Sequence, residues 1–265
     1  MKTAFITCLE KPVALFEFGD VSNPALLFIH GNSIHSGFLI PMIRLLEPKY
    51  HIITLDLPGH NLSGAWEKED FCRENLALLF NSVLDYFNIR EVDAFGFSMG
   101  GFILLECFDL IPAIKKIAIA GQPPLHSAAD MPEAYYLNEN SSLFLQGPLS
   151  EDEIERIYTY VIRTKNDYLK SEIKASIRNT SPSFREGSLR IAQNTGDQIS
   201  KLNQLMPPIA VIHAMDDLAI RGEYLKKLQI KTLWEQKIQL IPDCGHLCIV
   251  EKPQELAIML DLFFA

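Results

Sequence analysis

Residues 94–108 read AFGFSMGGFILLECF, and inside that stretch Gly96-Phe97-Ser98-Met99-Gly100 has the form G-x-S-x-G. The run before the serine, VDAFGF at 92–97, has the β-branched and aromatic character of a buried strand, and a helical pattern follows it. A chain that passes from strand to helix within one residue brings the positions two before and two after the serine against backbone. Both must then be minimal, and the turn lifts the hydroxyl clear of the sheet. The bland alternative is a Gly-rich connection with a capping serine, and the flanking strand and helix patterns argue for the tight turn instead. A serine hydroxyl is a poor nucleophile at neutral pH, so Ser98 calls for a base, and the base for an orienting acid.

Strand and helix patterns alternate outward from this turn. TAFITCL (3–9) and PVALFEF (12–18) predict two opening strands that can pair as a hairpin. ALLFIH (25–30), HIITLDL (51–57), IKKIAIA (114–120), IAVIHA (209–214) and KIQLIP (237–242) predict further buried strands. Between them, EDFCRENLALLFNSVLDYF at 69–87 places Phe71, Leu76, Leu79, Phe80, Val83, Leu84 and Phe87 on one side at spacings of three and four, as in a helix lying on a sheet. The alternation predicts an α/β fold with a mostly parallel, doubly wound sheet of eight strands and right-handed crossovers.

That rhythm breaks between Gln122 and Leu205, where no strand pattern stands out. Ser150 with Glu153, and Ser183 with Glu186, have the spacing of capping boxes that start helices. Ile154, Ile157, Tyr158, Val161 and Ile162 mark one helical face, and Leu169, Ile173 and Ile177 another. Residues 122–205 are therefore expected to form a helical cap inserted into a core made of 1–121 and 206–265. Its seven aromatic side chains between Tyr135 and Phe184 are expected mainly to pack on the core, with a few facing a pocket.

Composition narrows the classes of function. Hydrophobic residues at 48% and charged residues at 22% of 265 are ordinary for a globular protein with a substantial core. A net charge of −9 without a Lys/Arg cluster disfavours a nucleic-acid surface. Glu10 and Lys11 interrupt the first apolar run before a signal-peptide core can form, and no stretch reaches the length of a membrane span. Five irregularly spaced cysteines suit reduced thiols, so a cytoplasmic setting is expected.

Three more stretches, taken with the serine turn, resemble the α/β-hydrolase superfamily along the whole chain. IHGNSIHSGF (29–38) is similar to its H-G-x oxyanion loop, DLPGHNLSG (56–64) to its D-x-P-G-H-G-x-S stretch, and IPDCGHLCIVEKPQEL (241–256) to its G-H-x-x-x-x-E-x-P motif. The resemblance implies an α/β-hydrolase fold with the cap at the family's lid position. It also implies a triad in the order serine, acid, histidine: Ser98, a carboxylate in HAMDD (213–217), and His246. Aligning Ala214 with the glycine of the family's G-x-x-D makes Asp217 the acid, with Asp216 the alternative. The oxyanion donors would be the backbone N–H groups of Asn32 and Met99. Asn61 departs from the family's glycine and puts the local turn in question.

Serine at the elbow argues against dehalogenase and epoxide-hydrolase chemistry, which needs a carboxylate there. What remains is an esterase acting on a small-molecule ester or lactone, with some likeness to the branch that opens N-acyl-homoserine lactones. Alternatives are a C–C bond hydrolase acting on a vinylogous diketone, and a catalytically silent small-molecule receptor. No feature requires a cofactor or a metal: Cys244, His246 and Cys248 lack a fourth ligand and a companion motif, and the two cysteines are expected to pack beside the catalytic loop. His30 is expected to be structural, Asp56 to hold the Pro58-Gly59 turn and His213 to pack in the core; His35 and His126 could line a pocket.

Overall fold

Successive side chains of a strand point to opposite faces, and the central strands of this chain are apolar on both. In β3 (Ala25–Ile29), Leu27 and Ile29 enter one apolar cluster and Leu26 and Phe28 the other. The same division holds in β5 (Val92–Phe97), β6 (Ile114–Ala120) and β7 (Ile209–Ala214). Strands buried on both faces need helices on both sides. The computed structural model, which describes residues 1–164 and 166–265, supplies them. On one face lies α1 (Ile40–Leu46), joined there by the C-terminal helix; α2 (Arg73–Tyr86) and α3 (Met99–Cys107) cover the other.

The sheet is completed by β1 (Lys2–Cys8), β2 (Lys11–Phe18), β4 (His51–Leu55) and β8 (Gln239–Ile241). Its order is β1-β2-β4-β3-β5-β6-β7-β8. β1 pairs antiparallel with β2, and β2 antiparallel with β4; all other neighbours are parallel. The chain leaves β3 toward β4 on one side and β5 toward β6 on the other, so the strand order reverses between β3 and β5. A crevice forms at such a point beyond the carboxyl ends of the strands. The loop after β3 and the serine turn after β5 meet there.

Between β6 and β7 the chain forms α4 (Glu151–Val161), α5 (Asp167–Asn179), α6 (Pro182–Gln193) and α7 (Gln198–Leu205). Ser150 and Glu153 cap α4 reciprocally: Glu153 Oε2 accepts from Ser150 N at 2.7 Å and Ser150 Oγ from Glu153 N at 3.3 Å. The expected box at Ser183 and Glu186 does not form. Pro182, preset for a first helical position, starts α6 two residues earlier, with Ser181 in place of Ser183 as its N-cap. Ser183 instead donates to Trp66 O at 2.7 Å, and Glu186 faces Lys68 at 3.5 Å. The last helix, α8 (Pro253–Phe264), packs on the same sheet face as α1. Among the described residues no helix is long and apolar enough to cross a membrane.

Candidate active site

The serine turn is strained and held from both sides. Ser98 has φ +50° and ψ −122°, a conformation that costs on the order of 1–3 kcal/mol for a residue with a side chain. Its N–H donates to Ala120 O at 2.8 Å, and its carbonyl accepts Phe102 N at 3.0 Å. The two glycines of the motif are required by contact. A Cβ on Gly96 would lie 2.5 Å from Gly101 Cα, and one on Gly100 would lie 2.4 Å from His30 O. The helix thus starts directly against the ends of β3 and β5, with the Ser98 hydroxyl above the sheet.

His246 Nε2 lies 2.9 Å from Ser98 Oγ, and its Nδ1 lies 2.8 Å from Asp217 Oδ2. Because a carboxylate only accepts, Nδ1 carries the proton and Nε2 is left to accept from the serine. The second carboxylate oxygen of Asp217 accepts from Ala219 N at 2.7 Å and Ile220 N at 3.3 Å, and the side chain is fully buried. Asp216, the alternative acid, is half-exposed and faces Arg163 at 3.7 Å. Cys244 and Cys248 are buried in the apolar cluster behind the histidine loop. Burial pushes the Cys244 thiol up to about 12 and the Cys248 thiol well above its ordinary value. Among the described residues no group of three or more His, Cys, Asp or Glu could hold a metal ion.

Asn32 and Met99 lie beside Ser98 on the wall of the same cavity. Among the described residues neither backbone N–H has an acceptor. The loop carrying Asn32 is held from beneath by buried polar groups. His30 pairs Nδ1 with Gly31 O at 2.7 Å and accepts Leu57 N on Nε2 at 2.8 Å. Burial lowers its pKa to about 4, against the opposing effect of Asp56, so it is a neutral strut near pH 7. Asp56 accepts from Ser36 N and Oγ at 3.1 and 2.6 Å on one oxygen, and from Asn61 Nδ2 and Leu62 N at 2.8 and 3.2 Å on the other. Asn61 takes φ +42° and adds one of those bonds, so the departure from glycine preserves the turn.

The cavity measures about 380 Å³, within the range of small-ligand sites. Tyr135, Phe144 and Tyr160 face it, and among the described residues no Asp, Glu, Lys or Arg does. Phe184 is instead buried against Phe71 and His60, and Tyr168 is exposed. Neither His35 nor His126 reaches the cavity: His35 caps a short turn by accepting Gly37 N at 3.1 Å, and His126 pairs with Asp197 at 3.0 Å on the surface. His213 is buried, its Nδ1 has no partner among the described residues, and burial lowers its pKa. Several contacts around the site escaped the sequence. Asn32 Nδ2 donates to Phe144 O at 2.6 Å, Gln122 Nε2 to Tyr135 OH at 2.6 Å, and Tyr160 OH to Leu218 O. Glu251 accepts Arg163 N and Thr164 N, both at 3.1 Å, tying the segment after α4 to the histidine loop. Only Glu251 had a local signal, as the glutamate of G-H-x-x-x-x-E-x-P.

Sheet order, serine turn and histidine loop together define the alpha/beta hydrolase fold, and the chain belongs to that family, whose sequence pattern matches residues 24–253. Among individual relatives, it is 23% identical over 252 residues to the pimeloyl-[acyl-carrier protein] methyl ester esterase of Nitrosomonas europaea, covering 91% of this chain and 95% of that one. Crystal structures of the N-acyl homoserine lactonase AidH complexed with N-butanoyl homoserine superpose with a TM-score of 0.90 at 23% identity, over 100% of this chain and 96% of the lactonase. An esterase from a Rhodococcus species superposes with a TM-score of 0.84 at 19% identity, over 99% of this chain and 98% of that one.

Proposed function

We propose that this chain is a serine hydrolase that cleaves a carboxylic ester or lactone of a small, uncharged molecule through an acyl-enzyme on Ser98. The observation carrying this reading is the unbroken hydrogen-bonded line from Asp217 through His246 to Ser98, opening on a cavity whose described wall bears no charged side chain. Ser98 Oγ attacks the acyl carbon while His246 Nε2 takes its proton, and Asp217 fixes the tautomer and stabilises the imidazolium. The N–H groups of Asn32 and Met99 receive the negative charge that develops on the carbonyl oxygen. Collapse breaks the acyl–oxygen bond, and His246 returns its proton to the departing alkoxide, which stays tethered to the acyl group when the substrate is a lactone. Water, deprotonated by His246, then releases the acid and restores Ser98. Residues 122–205 serve as a cap that closes this cavity over a core of 1–121 and 206–265. We place the reaction in the cytoplasm.

The ester and lactone activities named for the relatives support this substrate class. The test is labelling by a fluorophosphonate probe, together with turnover of p-nitrophenyl esters and N-acyl lactones of graded chain length. Wild type should be labelled and active, and Ser98→Ala neither. A wild type that resists the probe and hydrolyses no ester or lactone overturns the reading.

A further inference from the structure

Arg185, in the first turns of α6, is only 2% exposed. A buried charge normally has an opposite charge beside it. Among the described residues this guanidinium bonds only to uncharged oxygens: Nη1 to Thr180 O at 3.3 Å, and Nη2 to Ile177 O at 2.5 Å and Ser33 Oγ at 3.3 Å; its Nε has no partner. Burial lowers its pKa to about 10, which still leaves it cationic at neutral pH.

The contact with Ser33 leads into the site. Ser33 Oγ donates in turn to Asn32 Oδ1 at 2.9 Å, while Asn32 Nδ2 reaches Phe144 O at 2.6 Å. Ser33 itself sits at φ +62°, and its N–H donates to His60 Nε2 at 3.2 Å. A left-handed serine needs external bonds to stay where it is, and Arg185 supplies one of them from the cap side. We propose that Arg185 is a positioning residue that locks the Asn32–Ser33 loop so that the Asn32 N–H points at the developing oxyanion. Among the described residues no carboxylate pairs with it, so its charge adds a favourable field at that oxyanion. The competing role is local: the bonds to Ile177 O and Thr180 O also cap the carboxyl end of α5, and a cap alone would affect stability and not the transition state.

This inference rests on the hydrolase reading, and the experiment separates the two. Full-length Arg185→Met and Ser33→Ala are compared with wild type for ester turnover. Binding of a trifluoromethyl ketone, which becomes an oxyanion on Ser98, is compared with binding of the matching ether. Arg185→Met should lower kcat by about 10- to 100-fold with KM changed less than about threefold. Trifluoromethyl ketone affinity should fall with kcat/KM while ether binding holds, and Ser33→Ala should show the same pattern more weakly. A kcat within about twofold of wild type, or equal weakening of ketone and ether, overturns the proposal. If Arg185→Met does not fold, Ser33→Ala decides by the same criteria. If wild type is inert to ester and fluorophosphonate, the hydrolase reading fails, and hydrogen exchange over residues 29–38 decides whether Arg185 holds the loop. Faster exchange in Arg185→Met, or in Ser33→Ala, upholds it; unchanged exchange overturns it.

Discussion

Asp217 Oδ2 lies 2.8 Å from His246 Nδ1, whereas the carboxylate of its neighbour Asp216 turns to Arg163 at 3.7 Å. The difference comes from the turn after β7, in which Asp217 N bonds back to Ala214 O at 3.1 Å and Asp216 N to Cys244 O at 3.0 Å. Asp217→Asn should lower kcat by about 10⁴-fold, because the amide presents the wrong tautomer to serine. Asp216→Asn removes only a surface pair and should stay within about threefold of wild type. Steady-state kinetics on one ester decides between them.

The glycine contacts at the serine turn predict a stability defect rather than a chemical one. At Gly100 the added methyl would meet Ile29 O and His30 O at 2.5 and 2.4 Å, and backbone at the centre of a sheet cannot retreat. Gly100→Ala should lose about 2–3 kcal/mol or fail to fold. Ser98→Ala, which keeps the backbone, should remain within about 1 kcal/mol of wild type in urea denaturation.

On the proposed function the acyl group occupies the cavity, so the cavity's volume should limit its length. Ala192 of α6 lines the cavity, so Ala192→Phe should fill part of it. The longest ester accepted should shorten, with each methylene that no longer fits costing about tenfold or more in kcat/KM. Acetate-ester turnover should stay within about twofold of wild type. A series of p-nitrophenyl esters of increasing chain length is the measurement.

Stability should depend on the buried histidines. His30 is lowered from an ordinary 6.5 to about 4 by burial, and His60 is lowered well below 6.5, first by burial and then by His30. The unfolded chain binds protons on these rings near pH 6.5, while in the folded chain His30 does not until near pH 4 and His60 is likewise held below its ordinary value. Their contribution is therefore complete above about pH 6.5 and is lost as the pH falls below that, for His30 as it approaches 4. His30→Gln should flatten this slope, and between about pH 7.5 and 4.5 wild type should lose roughly 2 kcal/mol more than the variant. Denaturation at several pH values checks it.

Thiol reactivity should follow burial. Cys8, Cys107, Cys244 and Cys248 are buried and Cys72 is partly exposed, all five unpaired. Burial raises the pKa of each of the four buried thiols. Ellman's reagent should titrate one thiol rapidly in the native protein and all five in denaturant. Replacing Cys244 and Cys248 together with Ala should leave activity within about threefold of wild type.

Legibility in the sequence followed the range of the interaction. The β5–turn–α3 unit was readable because strand pattern, G-x-S-x-G and helix pattern lie within about fifteen residues. The Ser150–Glu153 box was readable for the same reason, since its two bonds span three positions. At Ser183 the same spacing misled, because Pro182 gives the helix an earlier start and Trp66 offers Ser183 Oγ a different acceptor. The strand run 237–242 was likewise longer than the three residues of β8, which ends at Ile241 before Pro242, a residue with no N–H for the ladder.

By itself the sequence determined the alternation of strands and helices, the glycines that permit the serine turn, and Ser98 and His246 as the residues to bring together. Each depends on side chains and backbone a few positions apart. Only the tertiary structure decided which of two adjacent aspartates meets His246, which aromatic side chains face the cavity, and that Arg185 lies buried against Ser33. Those outcomes depend on contacts between residues from 29 to more than 150 positions apart, set by how the segments pack, and no local spacing encodes them.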